Sequence, residues 1–235
     1  MPETRRYDDP CGIARALDLI GDRWALLVVR ELIFGPKRFL QLRRGLRSVS
    51  PNVLAQRLRD LEQAGVVRRD VLDPPASVAV YALTKRGRAL EPVLLALGRW
   101  GSQEEIPAGE LSASALLVAM KTAFDPAAAA DATFALDIDG EWFLVTVSGG
   151  AIDIRRGRSA DAAVILHADV TTLRSVAFGR ELVADAERDG RLIMEGDSGL
   201  AERFALMFPA GAGEGGAGLT PGRWSGGRGG RAVTP

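Results

Sequence analysis

Asn52, Gln56, Arg59 and Gln63 follow one another at intervals of three or four residues, the spacing that puts side chains on one face of an α-helix. Amide side chains so placed can form paired hydrogen bonds with the edge of adenine, and a guanidinium can do the same with guanine. Around this stripe lies a concentration of positive charge: Lys37, Arg38, Arg43, Arg44, Arg47, Arg57, Arg59, Arg68 and Arg69, against only Asp60 and Glu62. Amides that read base edges and cations that hold phosphates are together the chemistry of duplex nucleic-acid recognition. If about six of the cations meet phosphates, log affinity falls against log salt with a slope of about −5.

Other residues offer different chemistry. Asp137 and Asp139 stand on one face of a strand, as paired carboxylates would, but the Asp139-Gly140 turn marks them more simply as solvated acids at a hairpin end. His167, the only histidine, sits beside Ala168-Asp169 at a strand end and is expected to be structural or exposed. Cys11 is the only cysteine, so no intrachain disulfide can form. Arg15 would lower its thiol pKa, and Asp8 and Asp9 oppose that effect. With one histidine and one cysteine, no multi-histidine metal site and no choice of catalytic pairs exist. No catalytic residue, metal or cofactor is expected, and the chain is not expected to be an enzyme.

The stripe needs a scaffold. Ser50 can cap a helix with its hydroxyl, and Pro51 suits the first helical position. Leu54, Leu58 and Leu61 then form the inward face opposite the polar one. Before it, Ile13, Ala14, Leu17 and Ile20 suggest a first helix and Trp24 to Phe34 a second, ended by Gly35-Pro36. Phe39, Leu42 and Leu46 suggest a third. After Gly65, strands begin at Val66-Val67 and Val78, joined by the turn Asp73-Pro74-Pro75-Ala76-Ser77. Thr84 can cap a final helix with Leu90, Val93, Leu94, Leu97 and Trp100 on one wide apolar face. Helix, turn, polar-faced helix and hairpin in that order describe a winged helix-turn-helix, whose second helix enters the major groove.

The net charge of zero over 235 residues hides a division, since residues 1–100 hold 18 Lys+Arg against 11 Asp+Glu and residues 101–235 hold 12 against 19. The basic half suits a polyanion. The polar run GSQEEIPAGE after Trp100 reads as a linker, giving domains at 1–103 and 111–208, and the glycine-rich stretch 209–235 is expected to be disordered. No apolar run approaches the roughly 18 residues of a membrane span. None follows the first arginines as in a secretory signal, so a reducing cytoplasm is the expected location.

In the second half, Phe134, Leu136 and Ile138 share one parity, which Trp142 and Leu144 continue after the Asp139-Gly140 turn as part of one expected lining, while Phe143, Val145 and Val147 fill the other parity, so both faces of this second strand hold apolar residues. Further strands are expected at Ile152-Ile154 and Val164-Leu166, with helices near Thr172–Phe178 and Gly199–Phe208. An antiparallel sheet covered by helices, an α+β domain, follows.

Three segments, CGIARALDLIGDRWALLVVRELIFGPKRFLQLRRGL, SPNVLAQRLRDLEQAGVVRR and YALTKRGRAL, resemble the HxlR-type winged-helix regulators, relatives of the MarR group. The resemblance spans roughly Cys11 to Trp100. It implies a homodimeric bacterial transcription regulator, paired through its terminal helices, that binds double-stranded promoter DNA. By position it makes Ser50, Pro51, Asn52 and Gln56 base-facing and gives Lys37, Arg38, Arg43 and Arg57 to the backbone. Arg47, Arg59, Arg68 and Arg69 complete the expected contact set, since the wing tip offers no cation. Some members use a cysteine near the first helix as a redox switch, which makes Cys11 a redox candidate, although Gly12 stands where proline often follows.

DGEWFLVTVSGGAIDIRRG, ADAAVILHADVTTLRSVAFGR and GRLIMEGDSGLAERFALMF resemble the sterol-carrier-protein type-two fold from about Ser114 to Phe208. The resemblance implies a tunnel for an apolar molecule such as an acyl chain or sterol. Phe134, Trp142, Leu144, Leu173, Phe178, Leu182, Ile193, Met194, Phe204, Met207 and Phe208 would line it, or would simply fill a core. The leading expectation is a regulator modulated by an apolar small molecule in this domain. The alternatives are a regulator whose second domain is only structural, with Cys11 or nothing as effector, and a lipid carrier.

Overall fold

In a computed structural model, residues 7–71, 78–102 and 109–209 are described. The first half runs α1 (Gly12–Ile20), α2 (Ala25–Leu32), α3 (Phe39–Gly45), α4 (Pro51–Gln63), β1 (Val67–Val71), β2 (Ala79–Leu83), α5 (Lys85–Arg88) and α6 (Glu91–Gly101). Val28, Val29, Leu32, Leu42, Leu54, Leu58 and Leu61 converge in one buried cluster, so the inward leucine face of α4 is its contribution to the core. Ser50 Oγ accepts from Val53 N at 3.3 Å, and Pro51 opens the helix, as its sequence requires. β1 and β2 pair antiparallel, and Lys37 adds a two-bond bridge to Tyr81. Thr84 caps α5 rather than one long final helix. Pro92 has no N–H with which to continue the helical ladder, so the chain breaks there and restarts as α6. The expected wing tip, Asp73–Ser77, and most of the expected linker and glycine-rich tail lie outside the described residues.

The second half comprises α7 (Ala113–Ala123), β3 (Ala132–Ile138), β4 (Glu141–Ser148), β5 (Ala151–Arg156), β6 (Val164–Ala168), α8 (Val170–Ala177), α9 (Val183–Arg188), β7 (Leu192–Gly196) and α10 (Ser198–Leu206). The sheet order is β5-β4-β3-β6-β7. It is mixed rather than wholly antiparallel: β6 lies parallel to β3. Residues 157–163 carry the chain back along the sheet between β5 and β6, tied by Gly157 N to Trp142 O and by Ala163 N to Thr133 O.

Asp139 and Gly140 both have positive φ, 53° and 82°, as the tightest hairpin turn demands. In that turn Ile138 pairs with Glu141, Leu136 with Phe143 and Phe134 with Val145. Paired residues share a face, so the core parity switches from even to odd numbers across the turn. Phe143, Val145 and Val147 therefore join Phe134 and Leu136 under the helices, and Trp142 and Leu144 belong to the opposite face. The expected continuation of one face through Trp142 and Leu144 is corrected accordingly.

The two halves meet through α7. Leu116, Leu117 and Met120 of this helix join the core beneath the sheet, and the helix packs with α8 as well as with α2 and α6 of the first half. Phe34, from the end of the α2 segment, is buried in the second core with its ring 6.2 Å from that of Phe143, edge to face. Beside it sits a buried ion pair, with Lys37 Nζ donating to Glu31 Oε2 at 2.7 Å. Ser112 Oγ donates to Glu31 Oε1 at 2.6 Å, and Ser114 Oγ accepts from Lys37 Nζ at 2.9 Å. Burial by itself would raise the Glu31 carboxyl pKa. The charges of Lys37 and Arg30, with hydrogen bonds from Lys37 and Ser112, outweigh it and hold the carboxyl below its ordinary value.

Candidate nucleic-acid interface

On α4, the leucines packed inward leave Asn52, Gln56, Arg59 and Gln63 exposed along the opposite face, and Ser50 and Pro51 are exposed at its start. Nothing in the described chain covers that stripe. Gln56 and Arg59 are joined to each other, Arg59 Nη2 donating to Gln56 Oε1 at 2.5 Å, while Gln56 Nε2 donates to Asp60 Oδ1 at 2.7 Å. Two donor-rich side chains are thus held side by side one turn apart, and their outer edges point to solvent.

Arg38, Arg43, Arg44, Arg47, Arg68 and Arg69 are exposed on the elements flanking α4. Arg47 pairs with Glu110, and Arg68 with Asp70 at 3.0 Å. Surface pairs of this kind are weak and can exchange for a phosphate. Two expected phosphate contacts are corrected. Lys37 is 2% exposed and spends its ammonium on Glu31 and Ser114, so it cannot reach a ligand. Arg57 has a side chain only 14% exposed, held by Asp22 and by Asp60 at 3.0 Å, and it ties α4 to the turn before α2.

The other candidates are placed as follows. Cys11 is exposed at the start of α1, where the N–H groups of Ile13 and Ala14 hold its thiol below the ordinary value. Asp137 accepts from Gly140 N at 3.0 Å and faces His167 Nδ1 at 3.1 Å, while Asp139 accepts from Val170 N at 3.3 Å. Both acids fasten the hairpin end. Among the described residues no cluster of three metal-ligating side chains occurs.

The expected apolar lining does not surround one space. Phe134, Leu173, Phe204, Met207 and Phe208 are fully buried against one another, with Phe134 and Phe204 ring centres 4.9 Å apart. Phe178 and Met194 pack at the margin of that core, whereas Leu182 and Ile193 are each 60% exposed. Trp142 and Leu144 lie across the sheet, where Arg158 stacks over the Trp142 ring at 3.8 Å.

What reading the sequence missed is a surface on the first half. Ile13 and Leu17 of α1 and Val93, Leu97 and Trp100 of α6 stand exposed, and a groove of about 500 Å³ runs between α1, α2 and α6. The α6 part was signalled by its wide apolar stripe and pairing through terminal helices by the resemblance, but Ile13 and Leu17 were read only as a helix period.

Helices α2 to α4, the β1-β2 hairpin and an outward polar face on α4 define a winged-helix DNA-binding protein. Comparison with known proteins gives the family. Residues 19–107 match the HxlR-like helix-turn-helix model and residues 115–208 the SCP-2 sterol transfer family model. The chain is 37% identical over 89 residues to the uncharacterized HTH-type transcriptional regulator YvaP of Bacillus subtilis, covering 38% of this chain and 82% of that protein. It is 38% identical over 88 residues to the HTH-type transcriptional regulator YodB of the same organism, covering 37% and 79%. The solved structure of the reduced form of YodB aligns at 35% identity with a TM-score of 0.37, covering 42% of this chain and 98% of that one. The chain belongs to the HxlR-like helix-turn-helix family of transcriptional regulators, with an SCP-2-type domain joined behind the DNA-binding domain.

Proposed function

We propose that the protein is a homodimeric cytoplasmic regulator that binds promoter DNA by laying α4 in the major groove, and that it catalyses no reaction. The observation that carries this reading is the exposed row Asn52, Gln56 and Arg59 on a helix whose other face is locked into the core. Ser50, Pro51, Asn52, Gln56 and Arg59 face the bases, and Arg38, Arg43, Arg47, Arg68 and Arg69 hold phosphates. The apolar ridge of Ile13, Leu17, Val93, Leu97 and Trp100 supports pairing of two copies through α1 and α6. The described helices include none long and apolar enough to cross a membrane. Duplexes enriched by the protein from a random pool test the reading: a shared two-fold motif is expected, and recovery of unrelated sequences would overturn it.

The second domain is read as the sensor of an apolar small molecule. Because its aromatic core is filled, such a ligand enters by displacing Phe178 or Met194 at the margin of that core, or the α9 segment around Leu182. A thermal shift with a series of fatty acids tests this, and the absence of any shift would leave the domain a structural one. The lowered thiol of exposed Cys11 favours a second mode of control, in which a peroxide takes two electrons from the Cys11 thiols of two copies and is reduced to water and alcohol or to two waters, leaving them joined as a disulfide. A band of doubled mass on non-reducing gels, lost in Cys11→Ser, is its expected sign.

A further inference from the structure

We propose that Glu31 and Lys37 couple the second domain to the DNA-reading half, because the first turn of α7 completes the shell of this buried pair while Lys37 seats the wing hairpin at the entrance to α3. The carboxylate of Glu31 is fully enclosed, so every oxygen needs a partner. Lys37, Arg30 at 2.8 Å and Ser112 supply them. Two of those three come from the first half, but the third is the residue that caps α7: Ser112 Oγ also accepts from Ala115 N at 3.0 Å. Glu31 therefore lies at the positive end of an eleven-residue helix that belongs to the other domain's core.

Lys37 shows the same division. Its ammonium needs Ser114 as well as Glu31, and Ser114 lies 77 residues away in sequence. Its backbone exchanges two hydrogen bonds with Tyr81 of β2, N to O at 3.0 Å and O from N at 2.8 Å, and Arg38 and α3 follow immediately. Movement of α7 away from α2 would strip the buried pair of its two serine hydrogen bonds, one from each charge. That state is relieved only by opening the Lys37 segment, and with it the seat of the hairpin and the approach to α3. Anything that shifts α7 in the second domain is thereby felt at the helix-turn-helix. The consequence for promoter binding rests on the DNA-binding reading above, but the coupling itself does not.

Amide hydrogen exchange on the full-length protein tests it. In Ser112→Ala/Ser114→Ala the amides of Lys37 and Tyr81 should exchange roughly tenfold faster, the scale of a lost hydrogen bond to a charged group. Ser114→Ala alone, which leaves the α7 cap in place, should move them in the same direction to a smaller degree. Asp197→Ala removes the cap of α10, a helix whose main neighbours are α8, α9, β6 and β7 rather than α7, and should leave both amides unchanged. Unaltered exchange in both serine variants would overturn the proposal, as would an equal rise in Asp197→Ala. Exchange needs no DNA, so wild-type protein that binds no duplex would sink the functional reading and leave this result standing.

Discussion

Arg59 Nη2 donates to Gln56 Oε1 at 2.5 Å, so the two side chains best suited to read base edges are bound to each other on the open face of α4. Each limits the other's rotamers before any DNA arrives. Less side-chain entropy then remains to be lost on binding. On the proposed placement of α4, replacing either with alanine removes a base contact and frees its neighbour. We expect Gln56→Ala and Arg59→Ala each to cost about 1 to 3 kcal/mol against the preferred duplex and little against scrambled DNA. Fluorescence anisotropy on the two duplexes measures both.

Salt dependence separates cations that touch phosphate from those that do not. Arg38→Gln and Arg43→Gln should each make the slope of log affinity against log salt shallower by about 0.9, the share of one phosphate. Lys37→Met should leave the slope unchanged while lowering stability, because the ammonium is enclosed with Glu31 and Ser114. Titrations across a range of salt concentrations check the contrast.

The Glu31 carboxyl lies below its ordinary value of 4.5 in the folded protein. A depressed folded-state pKa contributes stability above the unfolded value and loses it as pH falls through the folded one. Glu31→Gln should therefore cost about 3 to 5 kcal/mol near neutral pH, where it leaves Lys37 without its buried counter-charge. The gap between variant and wild type should narrow below pH 4.5, as urea unfolding at successive pH values will report.

Leu97 and Trp100 are 45% and 69% exposed on α6, beside Ile13 and Leu17 of α1. A charge in this ridge has no place within an interface between two copies. Leu97→Glu should shift the sedimentation coefficient from that of a dimer to that of a monomer, and promoter affinity should fall with it. Sedimentation velocity at micromolar concentration checks the first outcome.

The first half was legible because its signals are local. Ser50, Pro51 and the leucines of α4 state a cap and a period within one helix, and the hairpin after it is marked by its valines and by the Pro-rich turn between them. Lys37 was misassigned because its ammonium is held by Glu31, six residues back, and by a serine hydroxyl in the other domain, which no local pattern connects. Helix α7 was not anticipated for a related reason. Packed on two sides, it carries buried Ala113, Ala115, Leu116, Leu117 and Met120 on most of its surface and shows no amphipathic period. The lining expected in the second domain failed at the Asp139-Gly140 turn, where two-residue closure transfers the core face from Leu136 to Phe143 and leaves Trp142 outside.

Methylation protection of guanine N7 on an enriched duplex tests the placement of α4 most directly, because that atom lies only in the major groove. Protection is expected in two clusters about 10 base pairs apart, on one side of the helix, with loss of protection in Gln56→Ala/Arg59→Ala. Unprotected N7 atoms across a duplex that the protein demonstrably occupies would contradict it.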